Sequence, residues 1–320
     1  MRSSAVIGIA GLSVIALTSW AATRPSDDRT ADAVTVVSVP APARASAAPS
    51  FRIASDSVAA QGVQASARTT AKALAASGTW WRPAVTDTWQ WQLQGKITTS
   101  YAAKVYDIDL FTTPDAIFTT LHGLNRKILC YFSAGSSENF RDDFKDFPAA
   151  DQGSALDGWP GERWINTRST KIRTIMTKRL DLAVSRGCDG VEPDNVDGYA
   201  NDNGLKLTAS DQLDYNRFLA TEAHKRGLAV ALKNDLDQIP ALVNSFDLAV
   251  NEQCNEFTEC ETLRPFIAAG KPVLNAEYKA KYRNNTNGAR DQLCITAKAA
   301  KIRTLVLPLK LDGTSRFSCD

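Results

Sequence analysis

Eight short apolar runs recur along the chain: Trp89 to Leu93, Val105 to Leu110, Lys127 to Ala134, Gly187 to Glu192, Leu228 to Lys233, Phe246 to Asn251, Pro272 to Glu277 and Arg303 to Leu309. Their hydrophobicity is continuous rather than alternating, as parallel strands covered on both faces require. Amphipathic stretches separate them. From Thr170 to Val184, apolar residues fall at 172, 175, 176, 180, 182, 183 and 184, mostly at helical spacing, and Arg186-Gly187 supplies a stop. Ser210 to Arg226, ending at Gly227, repeats the pattern, with Ser169 and Ser210 as candidate N-caps. Strands and helices alternating eight times predict an α/β fold of the (β/α)8 TIM-barrel type. A doubly wound open sheet would call for a Gly-rich phosphate turn near the first strand, and the sequence has none.

In such a barrel, functional groups sit where strands run out into loops at the C-terminal face. Reading those ends gives Gln92 on the first strand, Asp107 and Asp109 on the second, and Ser133 on the third. The fourth gives Glu192, Asp194 and Asp197, and the fifth Lys233, Asn234 and Asp235. The sixth gives Glu252, and the seventh Glu277 and Tyr278. Asp and Asn are common at any strand-to-loop junction, but here carboxylates recur on most strands. Two carboxyls from separate strands, one neutral and one ionised in the same cleft, are what cleavage of a glycosidic bond requires. Ring faces of Trp and Tyr stack on pyranoses, which adds Trp89, Trp91, Tyr131, Trp159, Trp164, Tyr199 and Tyr278. Trp159 and Trp164 lie in a long polar loop after the third strand and are the better subsite candidates, whereas Trp89 and Trp91 suit a core equally well.

The N-terminal region changes the picture of where the chain works. Arg2, the apolar run Ala5 to Leu17 and the small-x-small Ser19-Trp20-Ala21 have the form of a signal peptide cleaved after Ala21. Residues 22–77 are Ala, Ser, Thr, Val and Pro with few large side chains, a linker rather than a domain. Residues 78–320 then form one catalytic domain, and the expected location is secreted or tethered to the cell envelope. Six cysteines, all in that domain, favour disulfides behind a signal peptide. Sequence position favours Cys130–Cys188, Cys254–Cys260 and Cys294–Cys319. No CxxC occurs and the two histidines, His122 and His224, lie in helical contexts, so neither a metal nor another cofactor is expected. A formal charge of +2 argues against a nucleic-acid footprint. Ser133-Ala-Gly135 is not a Gly-x-Ser-x-Gly elbow, and no base is placed for a serine hydrolase.

The strings Trp89-Gln-Trp-Gln-Leu93, Tyr106-Asp-Ile-Asp-Leu-Phe111, Cys130-Tyr-Phe-Ser-Ala-Gly135, Gly187-Cys-Asp-Gly-Val-Glu-Pro-Asp-Asn-Val-Asp-Gly-Tyr199, Leu232-Lys-Asn-Asp235, Val250-Asn-Glu-Gln-Cys254 and Asn275-Ala-Glu-Tyr278 resemble glycoside hydrolase family 114, the endo-α-1,4-polygalactosaminidases. The resemblance covers nearly all of residues 78–320. It implies a TIM barrel that cuts inside α-1,4-linked galactosamine polymers, with Asp194 as nucleophile and Glu252 as acid/base. The expected partner is a cationic amino-sugar polysaccharide, bound by a monomer. Asp107, Asp109, Glu192, Asp197, Lys233, Asn234, Glu277, Tyr278, Tyr131, Trp159 and Trp164 are the expected substrate-binding residues, with Glu192 alternatively a supporting partner of Asp194. Lys233 is placed to favour the charge of Asp194. The competing readings keep the barrel but change the polymer to another α-linked amino sugar, or make it a carbohydrate-binding barrel without turnover.

Overall fold

A computed structural model describes residues 79–320; the expected signal peptide and linker lie outside the described residues. In chain order the strands are β1 (Trp89–Gln92), β2 (Val105–Asp109), β3 (Lys127–Ser133), β4 (Ser136–Glu138), β5 (Gln152–Ala155), β6 (Glu162–Ile165), β7 (Gly190–Asp194), β8 (Ala229–Lys233), β9 (Leu248–Glu252), β10 (Val273–Glu277), β11 (Arg303–Val306) and β12 (Phe317–Ser318). A nine-stranded sheet runs β1-β2-β3-β7-β8-β9-β10-β11-β12. All its pairings are parallel except that of β12 with β11. The eight parallel strands are the eight expected from sequence, and the fourth (β7) and sixth (β9) begin two or three residues later than the apolar runs do.

The sheet curls. No ladder joins β1 to β11 among the described residues, but Trp89 Nε1 donates to the Arg303 carbonyl at 2.9 Å, and Leu93 and Gln94 N–H groups donate to the Leu311 carbonyl at 2.9 and 3.2 Å. Two apolar layers follow from the curl. Trp89, Trp91, Val105, Leu129, Ala231, Leu248, Val250, Leu274, Ala276, Leu305 and Leu307 pack together on the concave face. Tyr106, Ile108, Ile128, Cys130, Phe132, Val191, Val230, Leu232 and Ala249, the alternate positions on the same strands, pack outward against helices. Trp89 and Trp91 are 0% and 2% exposed and belong to this inner core. Of the two readings the sequence left open for them, packing is the one the structure takes.

Helices α1 (Asp115–Gly123), α2 (Thr170–Ser185) and α3 (Ala209–Lys225) cover the outer face, followed by the shorter α4 (Ile239–Leu242), α5 (Arg264–Ala268), α6 (Ala280–Arg283) and α7 (Ala289–Ala299). Ser169 caps α2 as expected, accepting from the Ile172 N–H. The cap of α3 is a correction: Thr208, not Ser210, opens the helix. Thr208 Oγ1 accepts from Asp211 N at 3.2 Å while Asp211 Oδ2 accepts from Thr208 N at 2.9 Å, a reciprocal pair that satisfies two otherwise orphaned donors. Gly187 and Gly227 end α2 and α3 at φ of +78° and +73°, where a side chain would be strained.

The long loop after β3 folds into its own antiparallel sheet, in the order β4-β6-β5. Three disulfides, Cys130–Cys188, Cys254–Cys260 and Cys294–Cys319, have the expected pairing. On the opposite side of the sheet from the strand ends described below, Trp80 Nε1 and Arg82 both donate to Asp247, just before β9, while His224 contacts the other oxygen of Asp247 and stacks on Trp80 at 4.0 Å. No described helix is long and apolar enough to cross a membrane.

Candidate active site

The C-terminal ends of β7, β8 and β9 deliver Asp194, Lys233 and Glu252 to one point. Parity explains this: each lies two or four residues along from an inward-facing position on its strand, so all three point to the concave side. Lys233 Nζ is 3.0 Å from Asp194 Oδ1, 3.0 Å from Glu192 Oε1 and 3.4 Å from Glu252 Oε2. Its side chain is 2% exposed, while Asp194 and Glu252 are 18% and 27% exposed. The two carboxylates therefore form the open lip of the site and the ammonium its buried floor. Burial works against the charge of Lys233, but Asp194, Glu192 and Glu252 together raise its pKa well above the usual lysine range.

A tyrosine hydroxyl holds the second oxygen of each carboxylate. Tyr131, on β3, donates to Asp194 Oδ2 at 2.9 Å, and Tyr278, just after β10, donates to Glu252 Oε1 at 2.5 Å. Burial, reinforced by those carboxylates, raises both phenols well above their ordinary range, so they remain donors. Asn234 completes the setting of Glu252: its Oδ1 accepts from the Glu252 N–H at 3.0 Å, and its Nδ2 is 3.4 Å from Glu252 Oε2. Asn234 and the following Asp235 both adopt left-handed backbone, φ +47° and +45°, a conformation that Asn and Asp tolerate better than most residues.

Beneath this lip, Glu192 from β7 and Asp107 from β2 are both fully buried. Their oxygens have no hydrogen-bonded N–H or O–H donor; only the Lys233 ammonium approaches Glu192, and the two carboxyls face each other. Burial, then the Glu192 charge, holds Asp107 well above the usual carboxylate range. Burial pushes Glu192 up to about 7, with Lys233 opposing the shift. Asp197, partly open beside Asp194, is pushed up to about 6 by burial and by the Asp194 charge.

Two sequence-expected residues lie elsewhere. Asp109 is not at the lip: Arg141 grips both its oxygens with bonds of 3.0 and 2.6 Å, and Phe111 N, Thr112 N and Thr112 Oγ1 all donate to its Oδ1. Those donors keep its carboxyl below the usual range despite burial. Both oxygens are engaged within the fold, so Asp109 anchors the turn after β2. Glu277 faces the helical side of β10, away from its neighbour Tyr278. Its Oε1 accepts from Asn255 N at 2.8 Å and Asn275 Nδ2 at 3.1 Å, pinning the loop after β9. Of the aromatics, Trp164 is 8% exposed and packs beneath Gly198, where an added methyl would lie 3.0 Å from its Cε3. Trp159, 51% exposed, lies in the turn between β5 and β6.

The structure adds a network that the strand-end reading did not assemble. Asn195, at φ +60°, donates to Ser133 Oγ at 2.9 Å; Ser133 Oγ meets Ser136 Oγ at 2.5 Å; Ser136 donates to Glu162 Oε2 at 2.7 Å. The N–H groups of Ala134 and Gly135 both donate to the Asp194 carbonyl, at 2.8 and 3.0 Å. A Cβ on Gly135 would fall 1.6 Å from the Asn195 carbonyl, so only glycine admits this approach. The signal was present in Ser133-Ala-Gly135, but nothing in the sequence tied it to residues some sixty positions downstream. Asp235, already read from the end of the fifth strand, is held within the fold: Asn216 Nδ2 donates to its Oδ2 at 2.8 Å, and burial, followed by the Asp197 charge, pushes it up to about 8.

Comparison with known proteins agrees with this geometry. The family model for glycoside-hydrolase family GH114 matches residues 69–320. No curated protein sequence matches the chain. Among solved structures, Ega3 of Aspergillus fumigatus in complex with galactosamine is 41% identical, with a TM-score of 0.71, covering 76% of this chain and 98% of that one. The glycoside hydrolase domain of PelA from Pseudomonas aeruginosa is 13% identical with a TM-score of 0.58, covering 71% and 96%, a likeness of fold. A curled, mostly parallel nine-stranded α/β sheet, carboxylates gathered at its strand ends and a family match across all the described residues place the chain among the glycoside hydrolases, as a member of family GH114.

Proposed function

We propose that the chain is a secreted endo-acting hydrolase of α-1,4-linked galactosamine polymer, working with net retention through Asp194 as nucleophile and Glu252 as acid/base. The observation that carries this reading is the convergence of the two carboxylates, two strands apart, on one buried ammonium with a tyrosine behind each. One oxygen of each lies on Lys233 Nζ, at 3.0 and 3.4 Å, which brings the two carboxyl groups into one cleft and is compatible with the retaining spacing of about 5–5.5 Å. In the first step an Asp194 oxygen bonds to the anomeric carbon, the glycosidic bond breaks, and Glu252 gives its proton to the departing oxygen. In the second, Glu252 takes a proton from water, the water oxygen bonds to the anomeric carbon, and the Asp194 carboxylate leaves.

Asp194 suits the nucleophile: the Lys233 ammonium, the Tyr131 hydroxyl and the Asn195 N–H at 2.8 Å all donate to it and fix its direction. Glu252 is the more exposed of the two and sits nearer the open side, where a leaving sugar and then a water would arrive. The galactosamine seen in the Ega3 complex supports the sugar assignment, and an acidic lip suits a chain carrying an ammonium at each C2. Asp197, partly open, and the exposed Trp159 are the substrate-facing candidates that remain once Asp109 and Glu277 are assigned to the fold. Three disulfides in the described domain support an oxidising, extracellular location.

The test is digestion of de-N-acetylated α-1,4-galactosamine polymer by the wild-type chain and by Glu252→Gln, with products sized by mass spectrometry. A ladder of short galactosamine oligomers from wild type alone is expected. An intact polymer after incubation with folded wild-type protein would rule out the substrate, and cleavage of a different amino-sugar polymer would replace it.

A further inference from the structure

Lys233 is buried where a lysine has to be accounted for bond by bond. An ammonium has three N–H donors and no acceptor, and three carboxylate oxygens surround this one: Glu192 and Asp194 at 3.0 Å and Glu252 at 3.4 Å. Tyr131 and Trp91 rings close the remaining sides, at 5.8 and 4.8 Å from Nζ. Its charge is surrounded by acceptors and aromatic faces supplied by the fold. The groups facing this point are Asp107 from β2, Tyr131 from β3, Glu192 and Asp194 from β7, Glu252 from β9 and Tyr278 after β10.

We propose that Lys233 is a counter-ion shared by both halves of the reaction, and that the buried Asp107–Glu192 pair, holding one proton between them, fixes it in place. The inference rests on the assignment of Asp194 and Glu252 given above. Before glycosyl transfer the negative charge at the lip is on Asp194 and Glu252 is neutral. After transfer Asp194 is an ester and Glu252 has lost its proton, so the charge has crossed from one carboxylate to the other. Lys233 touches both. It meets the charge at either end of its path without moving, so neither half-reaction leaves an unpaired ion in the buried floor of the site. At a buried ammonium this pre-set arrangement replaces solvent that would otherwise reorient at each step.

Glu192 supplies the third, unchanging contact. It does not take part in the exchange, and its distance of 3.0 Å to Nζ matches that of Asp194. Asp107 has no donor of its own within the fold, and two ionised carboxylates facing each other in a buried space repel. One proton between them removes the repulsion. Because Glu192 is the partner on the ammonium, the proton belongs with Asp107, which then donates to Glu192 and leaves it charged toward Lys233. Asp107 and Glu192 are positioning residues in this account; neither reaches the lip where a sugar sits.

Two measurements on the full chain test this. The first needs no substrate: thermal unfolding of Glu192→Gln, Lys233→Met and the double variant. Removing one partner of a buried ion pair strands the other, so each single change should lower the melting temperature more than the second change does in the double variant. Additive losses would overturn the anchoring role. The second is kinetic, on the α-1,4-galactosamine polymer. Lys233→Met is expected to lower kcat by about 1,000-fold with KM within a few-fold, since a group compensating charge in the chemical steps acts on the transition state. Glu192→Gln, which weakens the anchor, should lose about tenfold more kcat than Asp107→Asn, which copies the protonated partner. Asp107→Asn should also flatten the alkaline limb of the kcat profile by removing the shared proton. Equal losses in the two variants, or an unchanged profile in Asp107→Asn, would overturn the shared-proton assignment. Non-additive melting with no hydrolysis by wild type would leave the anchor standing and count against the substrate reading instead.

Discussion

Tyr278 and Tyr131 each hold one oxygen of a reacting carboxylate, and they do so from opposite sides of the site. A hydrogen bond to a charged group contributes about 1.5–3 kcal/mol. Tyr278→Phe should therefore lower kcat by about 10- to 100-fold, and Tyr131→Phe by a similar factor, with little change in KM; steady-state kinetics on the polymer checks both. If either phenylalanine variant matched wild type, the carboxylate it contacts would not need that hydroxyl to be oriented. Asp109 gives the opposite expectation. Its carboxylate lies in a two-bond pair with the 9%-exposed Arg141, and breaking a buried pair from one side costs about 3–5 kcal/mol. Asp109→Asn should appear as a lowered melting temperature with KM preserved. A large rise in KM in a stably folded variant would return Asp109 to the substrate.

At the scale of elements, the eight strands were legible because each is a compact apolar run between amphipathic stretches, and of the cysteine pairs Cys130–Cys188 followed from where those runs fall, the other two from closeness in sequence. Which face a residue takes was harder to read. On β10, Leu274 and Ala276 point inward while Val273, Asn275 and Glu277 point toward the helices; a strand covered on both sides carries apolar residues in both registers, so alternation leaves little trace. Glu277 was misplaced for that reason, and Tyr278 was not, since it follows the inward series. Asp109 was misplaced because its partner, Arg141, lies 32 residues downstream in a loop that showed no periodicity. The close approach of β3 to the end of β7 also escaped notice. It rests on Gly135, whose missing side chain admits the Asn195 carbonyl. Gly135→Ala must push the Asp194–Asn195 segment away from β3, and we expect kcat to fall at least tenfold together with a lower melting temperature. Wild-type kinetics in that variant would show that Asp194 is positioned by other contacts.

For the whole molecule, the buried acids around the site set how stability follows pH. Asp235 at about 8, Glu162 at about 7 and Asp197 at about 6 all titrate above their unfolded values, each chiefly through burial. A carboxyl whose folded pKa is raised stabilises the fold fully below its unfolded pKa, about 4, and loses that contribution as pH rises through the folded value. The unliganded enzyme should therefore melt several degrees higher near pH 5 than near pH 8.5. Asp247 works in the other direction. Although burial opposes it, His224, the Trp80 N–H and the Val230 N–H hold its carboxyl below the usual range, so its contribution is present above about pH 4 and lost only in stronger acid. A calorimetric series from pH 3 to 9 with no maximum on the mildly acidic side would contradict this picture. The central claim concerns turnover, in which the sugar is held on Asp194 while Glu252 changes its proton, and the most direct measurement is intact-protein mass spectrometry of Glu252→Gln incubated with α-galactosaminyl fluoride. Fluoride departs without needing an acid, whereas release of the sugar needs the missing base. The account predicts that the protein gains the mass of one galactosaminyl unit, mapped by peptide digestion to Asp194; an adduct on any other residue, or a folded and binding-competent variant that never forms one, would contradict it.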